Sequence, residues 1–301
     1  MTRTFAKVLA HSVNEAGDEI ISYHLRYPRM VHAQVMAHRS ICKNGASTRA
    51  IPTARMIEQA SVENRYVPDR WFTGRSGMQP GERITDPQKI HDLTFEWNIA
   101  CENAIISAKK LSALGVEKET LNRLLEPFLY MDIIATSTNI GNFHYLRVHD
   151  DAQWAIQEVA AKSLYAKINS TPKLLKKGQA HAPYLDEFSS FNLPEKDALL
   201  CCAGKIARVS YARNEEDLPW EKQLELGTKM KEFRPLHASA FDHLAYADPD
   251  HGLTCLSGGL WGYVSYRKCM EGENHPPMTR EQETALYEAW CEKNGYGDVP
   301  I

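Results

Sequence analysis

Near the start of the chain, Thr4 to Val13 and Ile20 to Tyr27 carry apolar residues in the short runs of β-strands, with a turn at Asn14–Asp18 between them. Pro28 can open a helix, and Met30 to Ile41 has helical content. Lys43 to Pro52 reads as a polar loop, and Val62 to Pro87, rich in Pro, Gly and Arg, as an irregular excursion. The spacing predicts a long helix over Asp86 to Leu114, stopped by Gly115, and another over Glu117 to Tyr130 interrupted by Pro127. Asp150 to Ile168 has the clearest helical period, with Ala152, Ile156, Val159, Ala160 and Leu164 on one side and Asp150 and Asp151 placed to cap it. Ser170 to Pro194 reads as a linker. A second block follows, with Ala198 to Tyr211, a charged helix from Pro219 to Phe233, and a last helix from Arg280 to Lys293. Gly258 to Lys268 opens on two glycines and reads as a turn leading into a strand or a helix.

A chain of 301 residues with 43% hydrophobic residues can bury a substantial core. No run approaches the about 18 apolar residues of a membrane span, and Met1 to Ala10 lacks the apolar core of a signal peptide. Seven cysteines, odd in number and without CxxC, suit reduced thiols and a cytoplasmic setting. The histidines form no HExxH and no HxH-type cluster with a nearby carboxylate, so a metal site has no strong support. The net charge of -3 argues against a binder of nucleic-acid backbones but allows local basic pockets.

Four stretches carry candidate chemistry. In Ala37–Arg49, a helix end with His38 and Arg39 runs into a loop with Asn44, Gly45, Ser47 and Arg49. Backbone N–H groups, a hydroxyl and guanidinium forks suit a phosphate there, and Gly45 allows close approach of a ligand. A solvated basic loop is the plainer alternative. Arg123 stands among apolar residues and needs a ligand or a partner, Glu126 at i+3 being one. Arg147 lies just ahead of the amphipathic helix, where Asp150 or Asp151 could pair with it. Arg208–Tyr211 and His237–His243 alternate polar and apolar residues. His237, Ser239 and Asp242 invite a hydrolase reading, but no G-x-S-x-G elbow exists.

Taken together, these blocks resemble the flavin-dependent thymidylate synthase family. That family's signature is Arg-His-Arg, seven arbitrary residues, Ser, and Arg two positions later. Here Ala37-His38-Arg39 is followed by Ser40 to Ala46, then Ser47 and Arg49, with His24, Pro28 and Gln34 at the expected spacing upstream. Arg123 and Pro127, Leu146 to Trp154 (Leu-Arg-x-x-x-x-Ala-Gln-Trp), Ala207 to Tyr211 (Ala-Arg-Val-Ser-Tyr) and His237 to His243 (His-x-Ser-x-Phe-Asp-His) fit too. In compact members the last two blocks come first, so this chain resembles a circularly permuted, enlarged relative. Permutation is tolerable when the original termini lie close at the surface. The chain departs at Ala37, which replaces the first Arg, at Gly45, and at Asn139-Ile140-Gly141, which lacks an Arg. Residues 62–114 and the tail after Asp248 lie outside the resemblance.

The resemblance implies an α+β fold, an antiparallel sheet flanked by long helices. It implies one catalytic domain over 1–301, with block 1–195 and permuted block 196–301 sharing a site. FAD would be the cofactor, with methylenetetrahydrofolate and NADPH as co-substrates, and carbon 5 of a pyrimidine nucleotide would be methylated, most simply dUMP to dTMP. Carried over residue by residue, Gln34, Ser47, Arg49 and Arg123 would hold the nucleotide. Arg147 would stabilise charge on the ring, with Ser47 as a positioning hydroxyl. His38, Arg39, Asn44, Asn142, His237, Ser239 and Asp242 would line the flavin. Cys42 in the signature loop reads as packing. Such relatives are homotetramers. The missing side chains at Ala37, Gly45 and Gly141 leave a dUMP or dCMP hydroxymethylase as an alternative, and a nucleotide- or nucleic-acid-binding homologue without catalysis as one of another class.

Overall fold

The computed structural model describes residues 4–213, 218–233, 238–273 and 278–294. Its centre is a five-stranded sheet in the order β3-β4-β2-β1-β5. The strands are β1 (Phe5–Asn14), β2 (Glu19–Pro28), β3 (Cys42–Gly45), β4 (Tyr130–Ser137) and β5 (Lys173–Leu175). All neighbours are antiparallel except β5, which runs parallel to β1 at one edge. A second, antiparallel sheet joins β6 (Ala180–His181), β7 (Ala245–Ala247) and β8 (Tyr263–Ser265), so both halves of the chain contribute to it. The fold is α+β, an antiparallel sheet flanked by helices, as expected from the sequence.

Period-two alternation gives the large sheet two unlike faces. Ile21, Tyr23, Leu25 and Tyr27 of β2 stand beside Met131, Ile133 and Ala135 of β4 and pack against Ile156, Val159 and Ala160 of the helix Trp154–Ile168. The 27-residue helix Pro87–Ala113 adds Cys101, Ile105 and Ala108 to this core. Asp86 caps it by accepting from the backbone N–H of Gln88 at 2.9 Å, and Gly115 ends it at φ +80. The other face carries Ser22, His24 and Arg26 opposite Thr136, Ile134 and Asp132. It is covered by the second block, through Leu199, Cys202, Ile206, Val209 and Phe241.

Two helices of that block, Glu195–Ala207 and Trp220–Glu232, touch backbone to backbone. A Cβ at Gly204 would lie 2.1 Å from the carbonyl oxygen of Gln223, and one at Gly227 would lie 2.0 Å from that of Leu200. All seven cysteines are unpaired. Among the described residues, no helix is long and apolar enough to cross a membrane.

The structure departs from the sequence expectations in five places. β3 occupies the start of the expected polar loop. The helix expected to reach Tyr130 ends as the short turns Lys118–Leu121 and Asn122–Phe128, and the chain then enters the inner strand β4. The helix after Pro28 is only the turn Arg29–Val31 and His32–Met36. The amphipathic helix starts at Trp154 with Gln153 as its N-cap, not at the paired aspartates. The expected linker contains β5, β6 and the turn Leu185–Phe188, and Gly258–Lys268 contains β8.

Candidate functional site

The signature segment wraps the outer strand β3, whose successive residues point to opposite faces. Toward the first core, Lys43 Nζ donates to the backbone carbonyls of His38 and Val35, which fastens the turn after helix His32–Met36. The His38 ring is 7% exposed and stands edge-on to Phe143, with centroids 5.0 Å apart. Arg147 Nε donates to His38 Nε2 at 2.9 Å. An arginine N–H can only donate, so His38 Nε2 is an acceptor and the ring is neutral. Burial, then Arg147 and Lys43, push the imidazole below its ordinary pKa, in agreement with that geometry. Gln34 Nε2 donates to Gln153 Oε1 at 2.6 Å, a second tie between the signature and the Leu146–Trp154 block.

Toward the second core, Asn44 is buried and joins three segments. Its Nδ2 donates to the carbonyl of Ile206 at 2.9 Å. Its Oδ1 accepts from Ser239 Oγ at 3.0 Å and from Ser210 Oγ at 3.3 Å. The next residues are held through the main chain, Ala46 N–H to Asp132 O at 2.9 Å and Ser47 N–H to Ser210 O at 3.0 Å. Half-buried Ser47 then starts the turn toward Arg49. Asp242 accepts from Arg267 Nη1 at 2.7 Å, and burial raises the pKa of its carboxyl. Cys42 is packed rather than reactive, burial pushing its thiol up to about 12.

The nucleotide set divides. Arg49 lies at the surface with Nε 3.1 Å from Glu119, and Arg123 Nη1 donates to Glu126 at 2.9 Å, the i+3 pair anticipated from spacing. Their segments are nevertheless tied together, because buried Asn122 Nδ2 donates to the carbonyls of Thr48 at 2.9 Å and Ile51 at 3.1 Å. Arg39, Asn142 and Ser239 are exposed. His237 lies outside the described residues.

Sequence reasoning missed Arg29. Its Nε donates to Glu126 at 3.1 Å and its Nη1 to the carbonyl of Ala46 at 3.0 Å, so it fixes the residue before Ser47. A cation directly after Pro28, ahead of an apolar helix, was the available signal. Gly45 also has a different reason from the one expected. A Cβ there would lie 2.7 Å from Ile133 Cγ2, so glycine is required for β3 to pack on β4 rather than for a ligand. The 62–114 excursion meets the site block at Trp154, whose Nε1 donates to Asp69 at 2.8 Å while the Arg70 guanidinium stacks 3.3 Å above the ring centroid.

No protein-family model and no curated sequence matches the chain. Among solved structures, the UMP/dUMP methylase PolB from Streptomyces cacaoi bound with 5-Br UMP is similar over 56% of this chain and 90% of that one, at 16% identity and a TM-score of 0.44. PolB bound with 5-Br dUMP is similar over 50% of this chain and 67% of that one, at 21% identity and a TM-score of 0.39. At that distance the functional reading rests on this chain's own residues.

Proposed function

We propose that the protein transfers a one-carbon unit from methylenetetrahydrofolate to carbon 5 of a pyrimidine nucleotide in a flavin-dependent reaction, most simply converting dUMP to dTMP. The Arg147–His38 contact carries this reading. It joins two blocks that the sequence resemblance treats as one site. Nε is committed to a neutral imidazole, so the terminal nitrogens of Arg147 form an aimed cationic fork, suited to a ring carbonyl or to charge developing on the ring. A fixed donor placed where charge develops lowers the barrier without reorganisation.

The other residues take supporting parts. Gln34, held by Gln153, and Ser47, held through its main chain by Ser210, orient the nucleotide. Arg49 and Arg123 supply exchangeable cations at the rim, where a phosphate competes with Glu119 and Glu126. FAD would fit the surface donors Arg39 and Asn142 and the exposed hydroxyl oxygen of Ser239, whose proton goes to Asn44, while buried His38 and Asn44, together with Asp242, serve as the frame behind them. When bound, it would supply the redox chemistry of the transfer. NADPH and the folate would be co-substrates, and other copies of the chain would complete the site in a homotetramer.

The test is product analysis with FAD, methylenetetrahydrofolate, NADPH and either dUMP or dCMP. A methylated nucleotide from dUMP supports the reading. A hydroxymethylated product moves the assignment to a hydroxymethylase. A colourless protein that binds no FAD and forms no product overturns it in favour of a binding homologue.

A further inference from the structure

Five buried side chains form one hydrogen-bonded chain across the second face of the large sheet. Ser12 Oγ of β1 meets His181 Nδ1 of β6 at 2.9 Å, and His181 Nε2 meets Ser22 Oγ of β2 at 2.8 Å. Ser22 Oγ meets Thr136 Oγ1 of β4 at 2.6 Å, and Thr136 Oγ1 meets His243 Nδ1 at 2.8 Å. Exposure is 5% at Ser12 and 1% or less at the other four. One end opens on a cleft of about 310 Å³ lined by Ser12 and His181 together with Lys7, His11 and Tyr184. The other end is His243 Nε2, buried and without a hydrogen-bond partner among the described residues. His243 closes the turn Ser239–His243, which carries both Ser239 and Asp242 of the candidate site.

A purely structural seam satisfies its own members. This one stops on an open nitrogen. Within such a chain a hydroxyl donates one bond and accepts the other, and a neutral imidazole donates from one nitrogen and accepts at the other. Burial lowers the pKa of both imidazoles to about 3, so both are neutral. The chain therefore has two polarities. In one, every proton points inward, both rings carry Nε2–H, and His243 offers a donor. In the other, every proton points outward, both rings carry Nδ1–H, and His243 offers a lone pair.

We infer that this chain is a proton relay between the cleft and the interior of the site-bearing block. In one inward passage Ser12 takes a proton from a hydronium ion in the cleft, leaving water, and gives its own to His181 Nδ1. The Nε2 proton of His181 moves to Ser22, that of Ser22 to Thr136, and that of Thr136 to His243 Nδ1. His243 Nε2 releases its proton to a water molecule entering beside it, which becomes hydronium. No electron changes hands, and one passage outward restores the first polarity. Replacing a ring hydrogen by carbon releases one proton, which an outward passage would carry to the cleft. That use rests on the function proposed above, whereas the relay itself is read without substrate.

The test is NMR of the full chain with heavy-nitrogen-labelled histidine, the two rings assigned with His181→Gln and His243→Gln. Both rings are expected in the same tautomer at neutral pH, in the wild type and in Thr136→Ser. After transfer to D2O, exchange of the His243 ring proton is expected to slow by an order of magnitude or more in Thr136→Val but not in Thr136→Ser. Where Thr136→Val does not fold, Ser22→Ala breaks the chain one link earlier and is expected to slow exchange likewise. Opposite tautomers, or exchange that is unchanged or faster in the broken chain, overturn the relay. Faster exchange is what a merely structural loss would produce, through local opening.

Discussion

Arg147 Nε donates to His38 Nε2 at 2.9 Å, so a neutral histidine inside the signature segment aims an arginine that lies over a hundred residues away in sequence. Arg147→Ala removes the fork and is expected to abolish one-carbon transfer while leaving the fold intact, since the side chain is partly exposed. His38→Ala leaves the fork but releases its aim, and about a 100-fold fall in turnover is expected for such misplacement. His38→Asn, which keeps an acceptor on a shorter side chain, should recover part of that loss. Product formation and a thermal melt on each variant check the set. Wild-type turnover in Arg147→Ala sinks the site assignment.

Asn44 ties three segments with one amide. Asn44→Ala leaves the Ile206 carbonyl and two hydroxyls without their partner, and a loss of about 2–3 kcal/mol is expected. Chemical denaturation should show it as a lower midpoint with an unchanged slope. Ser239→Ala removes a single link from an exposed side chain and should cost under about 1 kcal/mol.

Gly204 and Gly227 let two helices meet backbone to backbone. Alanine at either position forces the helices apart, and about 1–3 kcal/mol of destabilisation is expected, against the ordinary helix gain of alanine over glycine. Gly252→Ala is the control, because nothing lies within 4 Å of its added Cβ. Its melting temperature should stay within about a degree of the wild type. Equal melting temperatures for all three variants would remove the close helix contact from the account.

Periodicity made one side of the large sheet legible and left the other dark. β1, β2 and the helix Pro87–Ala113 announce themselves through alternation, the Asp86 cap and Gly115. β4 did not, because Met131 to Ser137 is buried on both faces and has no alternation to read. Its neighbour β3 was hidden for the opposite reason. Cys42-Lys43-Asn44-Gly45 is polar by composition, yet Lys43 and Asn44 each spend their polar groups on main-chain carbonyls. In the candidate site, residue identities and spacing located His38, Arg147, Asn44 and Ser239. Spacing also offered Glu126 at i+3 as the partner of Arg123, but it could not show that Asn44 is a joint rather than a ligand contact, because the segments Asn44 ties lie far apart in sequence. Arg29 was passed over since its partners, the Ala46 carbonyl and Glu126, are distant in sequence.

His181 and His243 are buried as neutral imidazoles, each held to a pKa of about 3 chiefly by burial. Their folded pKa lies below the unfolded value of 6.5, so the unfolded chain binds more protons in acid. Their contribution to stability is complete above pH 6.5 and is lost as the pH falls toward 3. Between pH 6.5 and 5 each ring should cost the protein about 2 kcal/mol. His32 and His144, lowered to about 4, act in the same direction. The melting temperature should therefore be flat from pH 8 to about 7 and fall steeply below about 6. His181→Gln keeps hydrogen-bonding groups but cannot titrate. It is expected to be less stable than the wild type at pH 7 and to lose less stability on going to pH 5. A wild type as stable at pH 5 as at pH 7 would show that these two rings are not buried in the neutral form.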